Sequence, residues 1–195
     1  MRLFIALDID EDIRRRIARF MDGIRGFAPE TRWVEPESLH LTLKFIGELP
    51  ENTVDGIKHE LETIHAETAQ LQFRGYGFFP TVKSPRVFWL GVEAGPQLAA
   101  LAAAVDASVS SLGIPKEDRA FSPHLTLARG AVGSGSPRWR KSDGPNRTFQ
   151  QLQEKLSALP FPELGTMTPR EFFLYQSQLS SKGSKYSKLA AFELK

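Results

Sequence analysis

The tetrapeptide His-Leu-Thr-Leu occurs twice in this chain of 195 residues, at residues 40–43 and 124–127. Two of only four histidines therefore share one local sequence, 84 residues apart. Imidazole is the side chain whose ordinary pKa, about 6.5, lies nearest to neutral pH. One histidine can hold a proton while the other has none, which suits general acid–base catalysis on two sides of one reacting group.

Each copy of the tetrapeptide is typical of a β-strand, in which successive side chains point to opposite faces. His40 and Thr42 then share one face, while the leucines beside them face the core. The same holds for His124 and Thr126. Threonine hydroxyls can donate hydrogen bonds to the non-bridging oxygens of a phosphate. The two motifs predict a cleft that acts on a phosphodiester without a metal, a cofactor or a protein nucleophile.

Two other interpretations of the histidines are less favoured. Duplicated packing strands would explain the repeat, but even one copy is improbable from the chain's own His, Leu and Thr frequencies, so we favour a functional pair. A zinc site is disfavoured because the chain has no Cys and no carboxylate recurs in both motifs. His59 and His65 are six residues apart on a predicted helix, hence on different faces, and are assigned to the surface.

The elements that must carry these motifs follow from apolar periodicity and turn residues. Strands are predicted over residues 2–9, 32–34, 39–47, 71–79, 86–93, 124–129, 170–179 and 186–194. Helices are predicted over residues 10–24, 52–68, 96–113 and 147–159. The first strand is apolar on both faces and is predicted to be central, and Asp10 is predicted to cap the first helix.

The order of these elements indicates the fold class. Several strands follow one another without an intervening helix, which predicts an α+β fold with mainly antiparallel sheets flanked by helices. Each half of the chain has one motif-bearing strand and at least one long helix. We therefore expect a single pseudo-symmetric domain over residues 1–195 that is built from two related halves.

Composition excludes several classes of protein. A net charge of +2 is too small to predict non-specific nucleic-acid binding. The absence of Cys excludes disulfides and fits a reducing compartment. The apolar run from Leu3 to Leu7 is too short for a signal peptide, and no run reaches the ~18 apolar residues of a membrane span. We expect a cytoplasmic monomer without membrane association or an obligate protein partner.

Two further segments could contribute to the cleft. Residues 130–146 are rich in Gly, Ser and Pro and are predicted to form a loop. Its basic residues and Trp139 could clamp RNA through charge and stacking, although a variable surface loop is the favoured interpretation. Phe78 and Phe79 could line the cleft, but core packing is the usual role of phenylalanine.

The paired His-x-Thr-x motifs resemble those of the two-histidine phosphoesterase superfamily. Within it, the chain is similar to the RNA 2′,3′-cyclic phosphodiesterases, also called 2′-5′ RNA ligases. The similarity extends through "RLFIALDI", "RWVEPESLHLTLKFIGE", "FFPTVKSPRVFWLGV", "SPHLTLAR" and "SQLSSKGSKYSKLAAFEL". It implies a two-lobed fold in which each lobe presents one motif to a central cleft. It also implies a substrate that is either an RNA ending in a 2′,3′-cyclic phosphate, such as a tRNA fragment, or a nucleotide.

The resemblance also implies individual roles. His40 would be the proton donor and His124 the proton acceptor, with Thr42 and Thr126 on the phosphate. Arg129 matches an arginine that the family places near the substrate. Its odd spacing from Thr126 would point it away on an ideal strand, so a bend or a long reach is required.

Alternatives to RNA cyclic-phosphate hydrolysis remain at this point. The same cleft could act on a small cyclic nucleotide, a 2′-5′ oligoadenylate or a cyclic ADP-ribose phosphate. An RNA-end-binding module without turnover belongs to another class, and two intact motifs argue against it. With an RNA 5′-hydroxyl in place of water, the resemblance also implies ATP-independent 2′-5′ ligation.

Overall fold

The computed structural model describes residues 1–130, 147–180 and 183–195. Its α-helices within these ranges are α1 (Glu11–Ile24), α2 (Val54–Glu62), α3 (Pro96–Ser110) and α4 (Arg147–Ser157). Its strands there are β1 (Arg2–Asp8), β2 (Arg32–Trp33), β3 (His40–Glu48), β4 (Leu71–Pro80), β5 (Pro85–Ala94), β6 (His124–Arg129), β7 (Glu163–Met167), β8 (Glu171–Ser180) and β9 (Gly183–Glu193). None of the helices in these ranges is long and apolar enough to cross a membrane.

The strands form two antiparallel sheets. The first has the order β3-β1-β8-β9 and the second the order β2-β6-β5-β4-β7. Every pairing within them is antiparallel, which confirms the predicted α+β class. The first sheet joins the beginning of the chain to its end. The short β2 leads into the first histidine motif but pairs with β6, so the two lobes exchange chain segments.

The central strand β1 separates two apolar layers. It lies between β3 and β8, as its sequence predicts, and its side chains from Leu3 to Leu7 are at most 3% exposed. Leu3, Ile5 and Leu7 belong to the large core that both sheets and the helices share. Phe4 and Ala6 point the other way, into a small separate cluster with Phe173 and Tyr175. Phe4, Ala6, Phe173 and Tyr175 form this second cluster.

Two predictions about the helices were wrong. The helix predicted over residues 52–68 ends at Glu62. The backbone beyond it hydrogen-bonds to the C-terminal residue, since Thr68 N–H donates to Lys195 O and Lys195 N–H donates to Ala66 O. Asp10 occupies the residue before α1, as predicted, but its side chain makes no capping hydrogen bond.

The sequence did not predict β7. This strand has only five residues, contains Gly165 at a φ of 107°, and pairs along one side with β4. Its residues show little alternation between polar and apolar side chains, so its strand structure depends on pairing with β4. The closing hairpin was predicted correctly, with β8 and β9 extending further toward the turn than expected.

Candidate active site

The two histidines begin two strands of different sheets that contact each other. His40 is the first residue of β3 and His124 the first residue of β6, and these strands lie together where the sheets meet. Both strands show the predicted alternation: the four leucines of the two motifs are at most 5% exposed, whereas the histidines and threonines are half-buried. Burying a leucine contributes about 2 kcal/mol, so the leucines hold each motif to the core.

Both histidines are fixed in the same tautomer. Nδ1 of His40 lies 2.8 Å from the carbonyl oxygen of Ser38, and Nδ1 of His124 lies 2.7 Å from that of Ser122. A carbonyl oxygen only accepts, so each Nδ1 must carry the hydrogen. Nε2 of each ring is therefore left to accept a proton when neutral and to donate one when charged.

Aromatic rings enclose His40. The Phe4 ring centroid lies 4.7 Å from that of His40, and the Tyr186 ring meets it edge-on at 5.0 Å. Burial among these rings lowers the pKa of His40 to about 4, because an imidazolium loses its hydration there. The Ser38 carbonyl and the Asp8 carboxylate act in the opposite direction and raise that pKa.

A different pair of rings lies beside His124. The centroids of Phe79 and Trp89 are 5.0 Å and 6.2 Å from its ring. Trp89 packs against Gly77, where a Cβ would be 2.1 Å from the indole. Burial lowers the pKa of His124 from its ordinary value, and the charge of Arg129 lowers it further, although the Ser122 carbonyl raises it.

A β-bulge in β6 explains how Arg129 reaches the cleft. In the pairing with β5, Thr126 and Ala128 face consecutive residues, so Leu127 between them has no partner of its own. Leu127 and Ala128 are both buried, and the alternation shifts by one residue. The shift turns Arg129 to the face that carries the histidine and threonine. This is the bend that the odd spacing required.

The same bulge occurs at the equivalent residue of β3. Thr42 and Lys44 face consecutive residues of β1, and Leu43 between them has none. Leu43 and Lys44 are both buried, so Phe45 turns to the face of His40. Its ring centroid lies 6.2 Å from that of Phe4, and 58% of the residue is exposed.

The bulge also places a lysine in the interior. Lys44 is 3% exposed, and its Nζ lies 2.6 Å from Asp106 Oδ1 and 3.3 Å from Glu117 Oε1. It also donates to the Pro115 carbonyl at 2.7 Å. These contacts tie the back of β3 to α3 and to the segment that follows it.

Arg129 is electrostatically coupled to both histidines. Its positive charge lowers the pKa of His40 and of His124. Although the residue as a whole is exposed, desolvation of the guanidinium lowers its own pKa, and the charge of Arg2 lowers it further. Within the described parts of the chain no carboxylate pairs with either arginine. The cleft is thus suited to an anion.

An ion network lies behind His40. Asp8 accepts hydrogen bonds from Arg14, at 2.7 Å, and from Lys188. Arg14 also donates to the carbonyl of Pro36, in the turn that ends at Ser38. Because Ser38 supplies the carbonyl that fixes the His40 tautomer, Arg14 positions the histidine indirectly. These bonds lower the pKa of Asp8 although its burial opposes this, so it remains a carboxylate.

Phe78 and Phe79, the two phenylalanines that could line the cleft, differ in position. Phe78 is buried in the core, whereas its neighbour Phe79 faces the cleft, since they point to opposite sides of β4. His59 and His65 are exposed, as predicted. Apart from Gly130, the predicted loop over residues 130–146, with Trp139, lies outside the described residues. Among the residues that are described, no three His, Asp or Glu side chains are grouped as in a metal site.

Several residues of the site were not predicted. They surround the histidines and come from other strands: Phe4, Asp8, Phe45, Trp89, Tyr175 and Tyr186. Only Phe45 could have been identified from the sequence, because it is the third residue after Thr42, just as Arg129 is the third residue after Thr126. The rest depend on which strands become neighbours.

Comparison with known proteins gives consistent matches. A family model described as LigT-like phosphoesterase matches residues 7–89 and again residues 90–186. The RNA 2′,3′-cyclic phosphodiesterase of Archaeoglobus fulgidus is 35% identical over 193 residues, which are 99% of this chain and 100% of that protein. The protein of the same name from Methanothermobacter thermautotrophicus is 32% identical over 196 residues, covering 100% and 99%.

Solved structures show the same architecture. E. coli LigT complexed with 3′-AMP has a TM-score of 0.76 and 26% identity, with 99% of this chain and 97% of that chain covered. A protein of Thermus thermophilus has a TM-score of 0.75 and 30% identity, with 100% and 98% covered. The predicted two-lobed fold is confirmed by these matches and by the repeated family model.

Proposed function

The chain belongs to the family of LigT-like phosphoesterases, as the sequence resemblance predicts, and on this premise we propose that it hydrolyses the 2′,3′-cyclic phosphate ends of RNA. The enzymes from A. fulgidus and M. thermautotrophicus that it matches over nearly their whole length are RNA 2′,3′-cyclic phosphodiesterases. The product would be a 2′-phosphate. The described side chains can perform this chemistry by proton transfer alone.

The observation that carries the proposal is the shared tautomer of the two histidines. Both Nδ1 atoms are bound to backbone carbonyls, so both Nε2 atoms are available for proton transfer. General acid–base catalysis requires one such group on each side of the phosphorus. Their strands come from different sheets and meet at one place, which supports an arrangement around a single substrate.

The proposed reaction follows from these positions. Nε2 of His124 takes a proton from water, and the oxygen attacks the phosphorus in line with the bond to the 3′-oxygen. As that P–O bond breaks, Nε2 of His40 gives its proton to the 3′-oxygen. Thr42 and Thr126 donate hydrogen bonds to the non-bridging oxygens, and Arg129 balances the charge that develops on them.

The low pKa of His40 fits the role of acid once substrate is bound. In the unliganded protein a pKa of about 4 leaves His40 mostly neutral at neutral pH. A phosphate anion beside the ring favours the imidazolium and raises this pKa. The imidazolium of His40 is then formed when the substrate is bound, beside the leaving oxygen that needs its proton.

The same pair of histidines supports a ligation reaction. If the 5′-hydroxyl of a second RNA replaces water, the product is a 2′-5′ phosphodiester, and no ATP is consumed because the cyclic phosphate supplies the energy. We include this reaction in the proposal. We also propose that residues 1–195 act as one catalytic domain, since each sheet supplies one histidine, and that the enzyme is a cytoplasmic monomer.

The decisive test is an oligoribonucleotide that ends in a 2′,3′-cyclic phosphate, incubated with the protein and a chelator. We expect conversion to the 2′-phosphate, identified by chromatography against 2′- and 3′-phosphate standards. Binding without turnover would refute the proposed enzyme in favour of an RNA-binding module. Preferential turnover of competing mononucleotide cyclic phosphates would transfer the activity to small substrates.

A further inference from the structure

The side chain of Arg2 leaves the first sheet on the face that carries His40. The pairing of β1 with β8 is regular, so Arg2 continues the alternation that places Phe4 and Ala6 on this face. The Phe4 ring centroid lies 4.7 Å from that of His40. Arg2 is two residues before Phe4, which places it ~7 Å further along the strand. The face with the histidine therefore continues to a cation.

We propose that Arg2 binds the phosphodiester that joins the terminal nucleotide of the RNA to the nucleotide before it. The proposal rests on the function proposed above and adds to it a second phosphate subsite on the first sheet. A cyclic mononucleotide has no such phosphodiester, whereas every RNA end has one. Arg2 thus favours RNA ends over mononucleotides without reading their sequence, because a phosphate contact is the same for all bases.

The lack of an acidic partner is the first argument. Glu48 lies directly opposite Arg2 in the pairing of β1 with β3, where an ion pair between neighbouring strands could form. Both residues are exposed, yet no ion pair joins Arg2 to Glu48 or to another carboxylate in the described parts of the chain. The guanidinium of Arg2 is therefore available to an anionic ligand.

The effect of Arg2 on Arg129 is the second argument. The positive charge of Arg2 lowers the pKa of Arg129, as one cation does to another. Arg129 likewise has no carboxylate partner among the described residues. Two cations that repel each other favour a ligand with two anionic groups. The last nucleotide of an RNA with a cyclic phosphate end has a phosphate on each side of its ribose.

Spacing across the sheet is the third argument. Arg2 lies opposite Ser177 of β8, and Ser177 lies opposite Tyr186 of β9. The Tyr186 ring meets that of His40 at 5.0 Å, so this row of residues adjoins the histidine. One ribose separates the cyclic phosphate from the preceding phosphodiester, a span comparable to the ~7 Å between Phe4 and Arg2 along β1. A cyclic phosphate beside His40 thus brings that phosphodiester to the level of Arg2.

The test isolates the charge of one phosphodiester and does not require turnover. Calorimetry compares two diadenosine ligands that end in a 2′-phosphate, one with a phosphodiester linkage and one with an uncharged methylphosphonate linkage. The sugar before the linkage is 2′-deoxyribose in both ligands, which keeps the methylphosphonate stable. The variants are Arg2→Ala and Arg2→Lys.

The matched control is Arg19→Ala. Arg19 is an exposed residue of α1, a helix whose buried side chains all belong to the large core. This variant changes the net charge of the protein by the same amount as Arg2→Ala, but away from the proposed subsite. It therefore separates a local contact from a general effect of charge.

The wild-type protein should bind the phosphodiester ligand about 10-fold more tightly than the methylphosphonate ligand, as expected of a charge-assisted hydrogen bond. Arg2→Ala should make the two affinities equal without changing that for the methylphosphonate. Arg2→Lys should keep part of the difference, because the charge remains but the planar fork is lost. Equal affinities in the wild type, an unchanged ratio in Arg2→Ala, or the same loss in Arg19→Ala would overturn the subsite.

Turnover of the corresponding dinucleotide cyclic phosphate and of adenosine 2′,3′-cyclic phosphate, measured in parallel, separates this inference from the proposed function. If the wild-type protein hydrolyses neither, the proposed function fails, while a linkage effect that depends on Arg2 still supports the subsite. If hydrolysis occurs but the affinity ratio does not depend on Arg2, the function stands and the subsite is refuted.

Discussion

Asp8 lies directly opposite His40 in the pairing of β1 with β3, whereas Gly91 lies opposite His124 in the pairing of β5 with β6. A Cβ at Gly91 would be 2.4 Å from the carbonyl oxygen of Arg74, so no side chain fits there. The two histidines thus have the same backbone hydrogen bond but different neighbours. A carboxylate favours the protonated form of His40, and at the equivalent place beside His124 backbone fills the space.

This asymmetry predicts the effect of Asp8→Asn. The variant removes the charge that raises the pKa of His40, so the form with His40 protonated and His124 neutral becomes rarer. If His40 is the acid, kcat/KM at its optimum should fall severalfold, and the acidic limb of its pH profile should move to lower pH. The measurement is the pH dependence of kcat/KM for a cyclic-phosphate oligonucleotide.

A matched control is Asp12→Asn, which removes an exposed carboxylate bound to Arg15 and Arg16 on the same helix as Arg14. It should leave the profile unchanged. If the maximal value of kcat/KM were higher in Asp8→Asn than in the wild type, the assignment would be contradicted and His40 would be the base. Loss of the carboxylate would then enrich an active form in which His40 is neutral.

The wild-type pH profile is itself predicted. The pKa values of both histidines in the free protein lie below the ordinary value of 6.5, that of His40 at about 4. kcat/KM reports groups of the free enzyme, so its bell should have a maximum on the acidic side of pH 6.5. On the basic side, activity falls as His124 loses the last proton of the pair.

In the profile of kcat, which reports the substrate complex, both limbs should lie at higher pH, since a bound phosphate anion raises both pKa values. Stopped assays from pH 3.5 to 9 with overlapping buffers at constant ionic strength give both profiles. A maximum of kcat/KM above pH 7 would refute this prediction.

Replacing either histidine should nearly abolish the reaction. His40→Ala and His124→Ala each remove one proton-transfer group, which contributes about 10²- to 10⁴-fold to a rate. The double variant should be little worse than either single variant, because the two groups act together. Rates are measured under single-turnover conditions, with His59→Ala as a control for loss of an exposed histidine. Full activity in either single variant would exclude the pair.

Arg129→Ala should weaken substrate binding in a salt-dependent way. The charge of the guanidinium lowers the pKa of both histidines, and the residue has no described carboxylate partner, so this charge is available to the phosphate. A charge-assisted hydrogen bond contributes about 1.5–3 kcal/mol, which corresponds to a loss of about 10- to 150-fold in kcat/KM. Arg129→Lys should recover part of it. An unchanged slope of log kcat/KM against log salt concentration in Arg129→Ala would count against direct contact.

Lys44→Ala should reduce stability. The change leaves Asp106 without its buried partner and creates a cavity behind β3, and because Asp106 is partly exposed we expect a loss of about 2 kcal/mol in the free energy of unfolding. Lys58→Ala, which removes an exposed pair with Asp55, should change it by less than about 0.5 kcal/mol. Urea denaturation followed by circular dichroism measures both. Equal effects would contradict a structural role for the Lys44 network.

The sequence by itself determined the local features of the site. The period of two along a strand is a property of the backbone, so His-Leu-Thr-Leu places its leucines in the core and its histidine and threonine outside in any antiparallel sheet. The fold class and the central position of β1 follow equally from local pattern. The doubled motif sufficed to indicate paired acid–base chemistry.

Only the tertiary structure decided how the two motifs meet and what surrounds them. The bulges at Leu43 and Leu127 arise from pairing with β1 and β5, and hydrogen bonding to a distant strand is not encoded in the motif. They turn Phe45 and Arg129 to the cleft against the strict alternation. The low pKa of His40 likewise depends on rings that other strands supply, because desolvation is a property of the assembled site.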